Sequence, residues 1–257
     1  MKVAMFDGDW LCFSVACAFQ EKNPFDPEAP PITDLGGAKT TIERALERDA
    51  ELNDCDHIEV HFSTSRVDNF RRDFLPSYKM NREGLVAPAL LADLRKHCAK
   101  LYDVVAIERL EADDTLGIRA TERDYGESVI ISVDKDFLTV PAHIYNPKKH
   151  IIKKQNRINA FKSFIYQVMI GDSTDGFKGI PGIGPKKALA FVNKHKDHMH
   201  GIWDILVDFA SKKVDEEYLL VQARMAHILQ AGDYNYETGE VRPWSPDMIE
   251  GMINGPL

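Results

Sequence analysis

The sequence predicts an α/β fold: a mostly parallel central sheet flanked by helices, with a helical region appended. Three observations carry this reading. Strand-like and helix-like segments alternate from the N-terminus to about residue 157. Short acidic clusters follow the apolar runs, and a glycine-rich turn at 179–185 opens a helical stretch.

In chain order, residues 2–6 read as a short buried strand and 10–20 as a helix of mixed apolar character. Pro24, Pro27, Pro30 and Pro31 make 21–34 an extended loop. Thr40 to Leu52 reads as helix, and 58–62 alternates like a strand. The charged, aromatic stretch from Arg66 to Asn81 has no assignable period. Pro88 to Tyr102 is an amphipathic helix with Leu90, Leu91, Leu94, Cys98 and Leu101 on one side. Strand 103–107, helix 112–125 with a stop at Gly126, and strand 129–133 follow. Residues 144–146 and 151–153 flank a Pro147-Lys148-Lys149 turn as a hairpin. Helices are expected over 158–170, 186–194 and 203–230, and the Gly/Pro-punctuated end, 233–257, reads as a peripheral tail.

A chain of 257 residues allows one large domain, or one with a small appendage. With 44% hydrophobic and 28% charged residues, it has the composition of an ordinary globular protein. No apolar run approaches the ~18–20 residues that cross a bilayer, and the N-terminus enters a strand rather than a signal peptide. Cys12, Cys17, Cys55 and Cys98 form no CxxC pair and read as reduced, buried thiols of a cytoplasmic protein.

Nine carboxylates fall in four clusters: Asp7 and Asp9; Glu111, Asp113 and Asp114; Asp134 and Asp136; Asp172 and Asp175. In an open parallel sheet, ligands gather outside the carboxyl ends of the strands, and Asp7, Asp134 and the 111–114 group fall just there. Acids that converge repel one another and need cations. Oxygen-only donors suit Mg²⁺ or Mn²⁺, and paired ions of this kind support phosphoryl displacement. Each cluster alone has a plainer reading: helix capping for 111–114, a solvated turn for 134–136, an Asx-rich loop for 172–175. Four together at element ends outweigh those readings. The net charge of −8 argues against a nucleic-acid partner only until the clustered acids are neutralised by metal. Gly182 and Gly184 can present backbone N–H groups to a phosphate, and Lys186 and Lys187 add charge at the next helix start.

Laid out in order, these motifs resemble the 5′-nuclease (flap endonuclease) superfamily, most of all its stand-alone bacteriophage 5′→3′ exonucleases. The matching blocks are Phe6-Asp7-Gly8, Tyr78-Lys79-Met80-Asn81-Arg82, Leu110-Glu111-Ala112-Asp113-Asp114, Ser132-Val133-Asp134-Lys135-Asp136, and Gly171-Asp172-Ser173-Thr174-Asp175 running into Gly179–Ala188. They span about residues 3–195. The resemblance implies a nuclease core over 1–157 with a short helical arch about 79–100, and a helix-three-turn-helix region over 158–232. It places Asp7, Glu111, Asp113 and Asp114 mainly at a first metal site, and Asp134, Asp136, Asp172 and Asp175 mainly at a second. Lys79 and Arg82 would reach the scissile phosphate from the base of the arch. The glycine turn would grip duplex backbone and hold K⁺.

The implied activity is a Mg²⁺-dependent 5′→3′ exonuclease and flap endonuclease, with Mn²⁺ able to substitute. Its partners would be DNA with 5′ ends, flaps, nicks or gaps, and RNA–DNA hybrids, met as a monomer away from any membrane in the host cytoplasm. A PIN-type RNA nuclease and a non-catalytic DNA-structure binder are the rival readings. One departure is plain: the family's acid after the second strand is missing from His61-Phe62-Ser63-Thr64-Ser65.

Overall fold

The structure, a computed structural model, describes residues 1–26, 28–64, 68–82, 84–122 and 127–255. The expected stop at Gly126 and the start of the unassigned stretch at Arg66 lie outside them. β1 (Val3–Asp7) leads into α1 (Gly8–Ala18). The proline-rich segment is closed by two short antiparallel strands, β2 (Gln20–Glu21) and β3 (Ile32–Thr33). Then come α2 (Leu35–Glu51), β4 (His57–His61), α3 (Leu91–Leu101), β5 (Asp103–Val105), α4 (Ala112–Glu122) and β6 (Ser128–Ile131). The hairpin β7 (His143–Asn146) and β8 (Ile151–Lys154) completes a six-stranded sheet of order β5-β4-β1-β6-β7-β8. All its pairings are parallel except β7–β8.

Strand alternation divides the core. Ala4 and Phe6 face α1, α2 and α3, packing with Leu11, Ile42, Leu46, Leu94 and Cys98. Val3 and Met5 face the other way, against Leu116, Ile130, Phe137 and Ile144. The chain builds outward from β1 through β4 and β5, then returns to place β6 and β7 on β1's other side. The switch between β1 and β6 opens a crevice at their carboxyl ends.

A second core is helical: α5 (Arg157–Ile170), α6 (Pro185–Lys194), α7 (Ile202–Ala210), α8 (Glu216–Ala226) and α9 (Ile249–Asn254). The last of these overturns the expectation of a peripheral tail. Trp244 is 1% exposed, and Met248, Ile249, Met252 and Ile253 are buried with it against Phe161, Phe164 and Trp203. The arch expected about 79–100 is also different. Met80–Arg82 is a single 3₁₀ turn, and α3 buries Leu94 and Cys98 in the main core, so it is a sheet-covering helix; Leu101, expected on its apolar side, is 53% exposed. The thiols are free as expected, but Cys17 is exposed. Among the described residues, no helix is long and apolar enough to cross a membrane.

Candidate metal and DNA site

Asp7 ends β1 and caps α1. Its Oδ1 accepts the Trp10 N–H at 3.0 Å, and its Oδ2 accepts the Ser132 hydroxyl at 2.9 Å. Gly8 is required here because a Cβ would meet Phe62, Val60 and the His61 carbonyl at 2.6–2.7 Å. Ser132 follows β6, and its Oγ also accepts the Asp134 N–H at 3.1 Å, so one hydroxyl ties both strand ends together. Asp113 enters from the first turn of α4. These acids strain one another. Burial first, then the charges of Asp9 and Asp134, push Asp7 up to about 6. Burial with Asp7 and Asp134 holds Asp113 well above the usual carboxylate range.

Asp134 and Asp136 lie in a loop entering a 3₁₀ turn, not on a strand face, with the Asp136 N–H donating to Asp134 Oδ1 at 2.8 Å. Asp172 and Asp175 sit in a turn after α5, not in a helix. The Asp172 N–H donates to Phe177 O at 2.8 Å, and Asp172 Oδ1 accepts the Thr174 N–H at 2.7 Å. Burial and the Asp134 charge raise Asp136; burial and the Glu111 charge raise Asp175 against the pull of Lys79.

Basic side chains compensate part of this charge. Lys79 Nζ donates to Glu111 Oε1 at 2.7 Å and lies 3.5 Å from Asp175. Arg82 donates to Asp175 Oδ1 at 2.7 Å, and Lys135 bridges Asp136 and Asp172 at 2.9 and 3.3 Å. Burial works to raise Glu111, but the Lys79 and Arg71 charges bring it below its ordinary value. Lys79 holds a left-handed backbone, φ 54°, and its N–H donates to Asp175 O at 3.0 Å, which seats the 78–82 stretch on the acidic turn.

Asp114 departs from the expected ligand set. It is 0% exposed, both its oxygens accept from the Arg71 guanidinium at 2.7 Å, and the Glu111 and Leu229 N–H groups add to them. Its acceptor capacity is filled inside the core, where it is the partner of Arg71. Sequence reading missed Arg71, Tyr78 and Ser132. Tyr78, 2% exposed, donates to Glu111 Oε2 at 2.9 Å; its place beside Lys79 was the only sequence signal. Asp9 accepts the Ser63 N–H at 2.9 Å, which brings a carboxylate to the segment where the family's acid is missing.

Among the described residues, no three His, Cys, Asp or Glu side chains are grouped so as to hold a metal ion, and Glu111, Asp175 and Asp172 are paired with Lys79, Arg82 and Lys135. The donor set nonetheless fits hard divalent ions. Asp113 feels the charges of both Asp7 and Asp134, and Asp7 that of Asp134, so carboxylate charge gathers at this end of the sheet, where a divalent cation would relieve it.

At the glycine turn, Gly182 has φ 73° and Gly184 has open space where a Cβ would stand. Lys186 and Lys187 start α6, exposed. The carbonyls from Gly179 to Gly182, in the turn expected to hold K⁺, each accept a hydrogen bond from the protein. Gly179 O accepts the Tyr218 hydroxyl at 2.9 Å, Ile180 O the Ile183 N–H at 3.0 Å, Pro181 O the Lys213 ammonium at 2.6 Å, and Gly182 O the Lys187 ammonium at 3.2 Å.

A parallel sheet with acids at its switch point, joined to a helical region that opens on a glycine turn, is the 5′-nuclease fold. The bacteriophage T5 D15 protein, co-crystallised with metal ions, superposes with a TM-score of 0.67 over 88% of this chain and 89% of that one, at 17% identity. The T5 D15 flap endonuclease in complex with DNA and metal ions gives 0.63 over the same shares, also at 17% identity. In sequence, the chain is 26% identical to the exodeoxyribonuclease of Enterobacteria phage T3 over 95% of its length and 93% of that protein. It is 29% identical to the flap endonuclease Xni of Vibrio parahaemolyticus over 86% of its length and 92% of that protein. The chain is thus similar along most of its length to these phage exonucleases and Xni flap endonucleases, and it shares the fold of the T5 D15 protein. No protein-family model matches it.

Proposed function

We propose that the chain is a Mg²⁺-dependent 5′→3′ exonuclease with structure-specific flap endonuclease activity on DNA, serving phage replication, primer removal or recombination. The observation that carries this is the buried Asp7 and Asp113 at the β1–β6 switch point, both with proton affinity raised by burial and by the charge of Asp134. Asp7, Glu111 and Asp113 would serve mainly one ion, and Asp134, Asp136, Asp172 and Asp175 mainly a second. Bound there, divalent ions activate water and stabilise the attacking and leaving oxygens of an in-line displacement.

The chain's own residues do the rest. Ser132 and the Trp10 N–H orient Asp7, and Tyr78 orients Glu111. Lys79 and Arg82, which hold Glu111 and Asp175 in the free protein, are placed to turn onto the phosphoryl oxygens once those carboxylates are otherwise engaged. Residues 158–232, with Gly182, Gly184, Lys186 and Lys187, would grip duplex backbone without reading sequence. The active species would be a monomer that also accepts RNA–DNA hybrids.

Cleavage of 5′-labelled flap, nicked and single-stranded DNA, with Mg²⁺ and with chelator, tests this reading. The expected result is Mg²⁺-dependent release of short 5′ products, lost in Asp113→Asn while duplex binding persists. Cleavage in chelator, or full activity in Asp113→Asn, would overturn it.

A further inference from the structure

We propose that Lys213 is the resident cation of the glycine turn, so that duplex binding there needs no monovalent metal ion. This rests on the reading of the turn as a duplex-backbone grip. Lys213 lies between α7 and α8, its own N–H held by Ala210 O at 2.8 Å. Its ammonium reaches Pro181 O at 2.6 Å and stands 3.3 Å from where a Cβ on Gly182 would be. A side chain at Gly182 would crowd that ammonium, so the glycine serves the lysine as well as the left-handed backbone.

Other side chains of the same connection and helix complete the enclosure. Gln222 Oε1 accepts the Lys178 and Gly179 N–H groups at 3.0 and 2.8 Å, and the Tyr218 hydroxyl donates to Gly179 O. Every carbonyl from Gly179 to Gly182 therefore has a protein donor, two of them ammonium groups. A bare alkali ion needs several carbonyl oxygens turned to one point. Here four successive oxygens accept from four separate donors, and the positive charge such an ion would bring already stands at the turn. That charge supports an approaching phosphate while leaving the N–H side of Gly182 and Gly184 to the backbone contact.

Anisotropy of a labelled short duplex, in chelator to prevent cleavage, reads this directly in potassium chloride and in tetramethylammonium chloride of equal ionic strength. The wild type is expected to bind within about twofold in the two salts. Lys213→Met is expected to lose roughly tenfold in tetramethylammonium and to regain most of it in potassium, while Lys213→Arg binds like the wild type. Wild-type binding several-fold tighter in potassium would overturn the proposal. So would an equal loss for Lys213→Met in both salts, which would make Lys213 an ordinary phosphate contact. Melting temperatures of both proteins in the two salts give the same comparison without DNA. The duplex-grip reading fails separately, by absence of duplex binding in either salt.

Discussion

Asp7 shows what the site costs the protein without ions. Its carboxyl is 6% exposed and is pushed from its ordinary 3.8 to about 6, first by burial. A native acid with a raised pKa binds more protons than the unfolded chain between those values. Stability is therefore favoured at low pH and falls as pH rises from about 4 through 6. Asp7→Asn keeps an oxygen for the Trp10 N–H and a donor for Ser132 Oγ. At pH 7, in chelator, it should unfold at a higher urea midpoint, with a gain of about 2 kcal/mol. The gain should vanish near pH 4. A variant no more stable at pH 7 would mean that burial does not strain this carboxylate.

At the scale of elements, one close backbone crossing, of Gly171 against Gly179, sets the relation between the acidic turn and the glycine turn. Gly171 has φ 69° and Gly179 φ 62°, and a Cβ on Gly179 would press on Ile170 C and Met169 O at 2.5 Å. The Ile180 N–H donates back to Met169 O at 2.9 Å, closing the loop that carries Asp172 and Asp175. Gly179→Ala combines a left-handed backbone with a backbone clash, so a loss of about 2–4 kcal/mol is expected in urea unfolding. Mn²⁺ binding by calorimetry should weaken with it, because the acids move with the turn. An unchanged midpoint would show that the crossing is loose.

Much of this was legible beforehand, for physical reasons. Strand alternation and element-end acids are local patterns, so β1, β4 and β6, and the placing of Asp7 and Asp134 where their charges act on Asp113, could be read from the chain. Arg71 could not be read so: its partner Asp114 is 43 residues away, and only folding shows that the pair closes on itself. Lys213 met the same limit at the glycine turn, since it is 32 residues from Pro181.

For the whole molecule, the C-terminal segment decides whether the helical half stands as a unit. Its Gly and Pro content reads as a tail, but Trp244 anchors it: the ring lies 5.2 Å from Phe164 and 4.8 Å from Trp203, and its N–H points to Met252 Sδ at 3.3 Å. Phe164 belongs to α5, the helix that ends at Ile170 beside the acidic turn. Packing at Trp244 thus supports the element that presents Asp172 and Asp175. Trp244→Ala should cost about 3–5 kcal/mol, as for a large aromatic removed from a close-packed core. For a chain of this size that lowers the melting temperature by about 10 °C. The less disruptive Trp244→Phe, which keeps ring contacts and loses the N–H, should fall between the two proteins. If deletion of the segment from Trp244 onward leaves the melting temperature unchanged, the segment is peripheral and α5 draws its support from α6 and α8 alone.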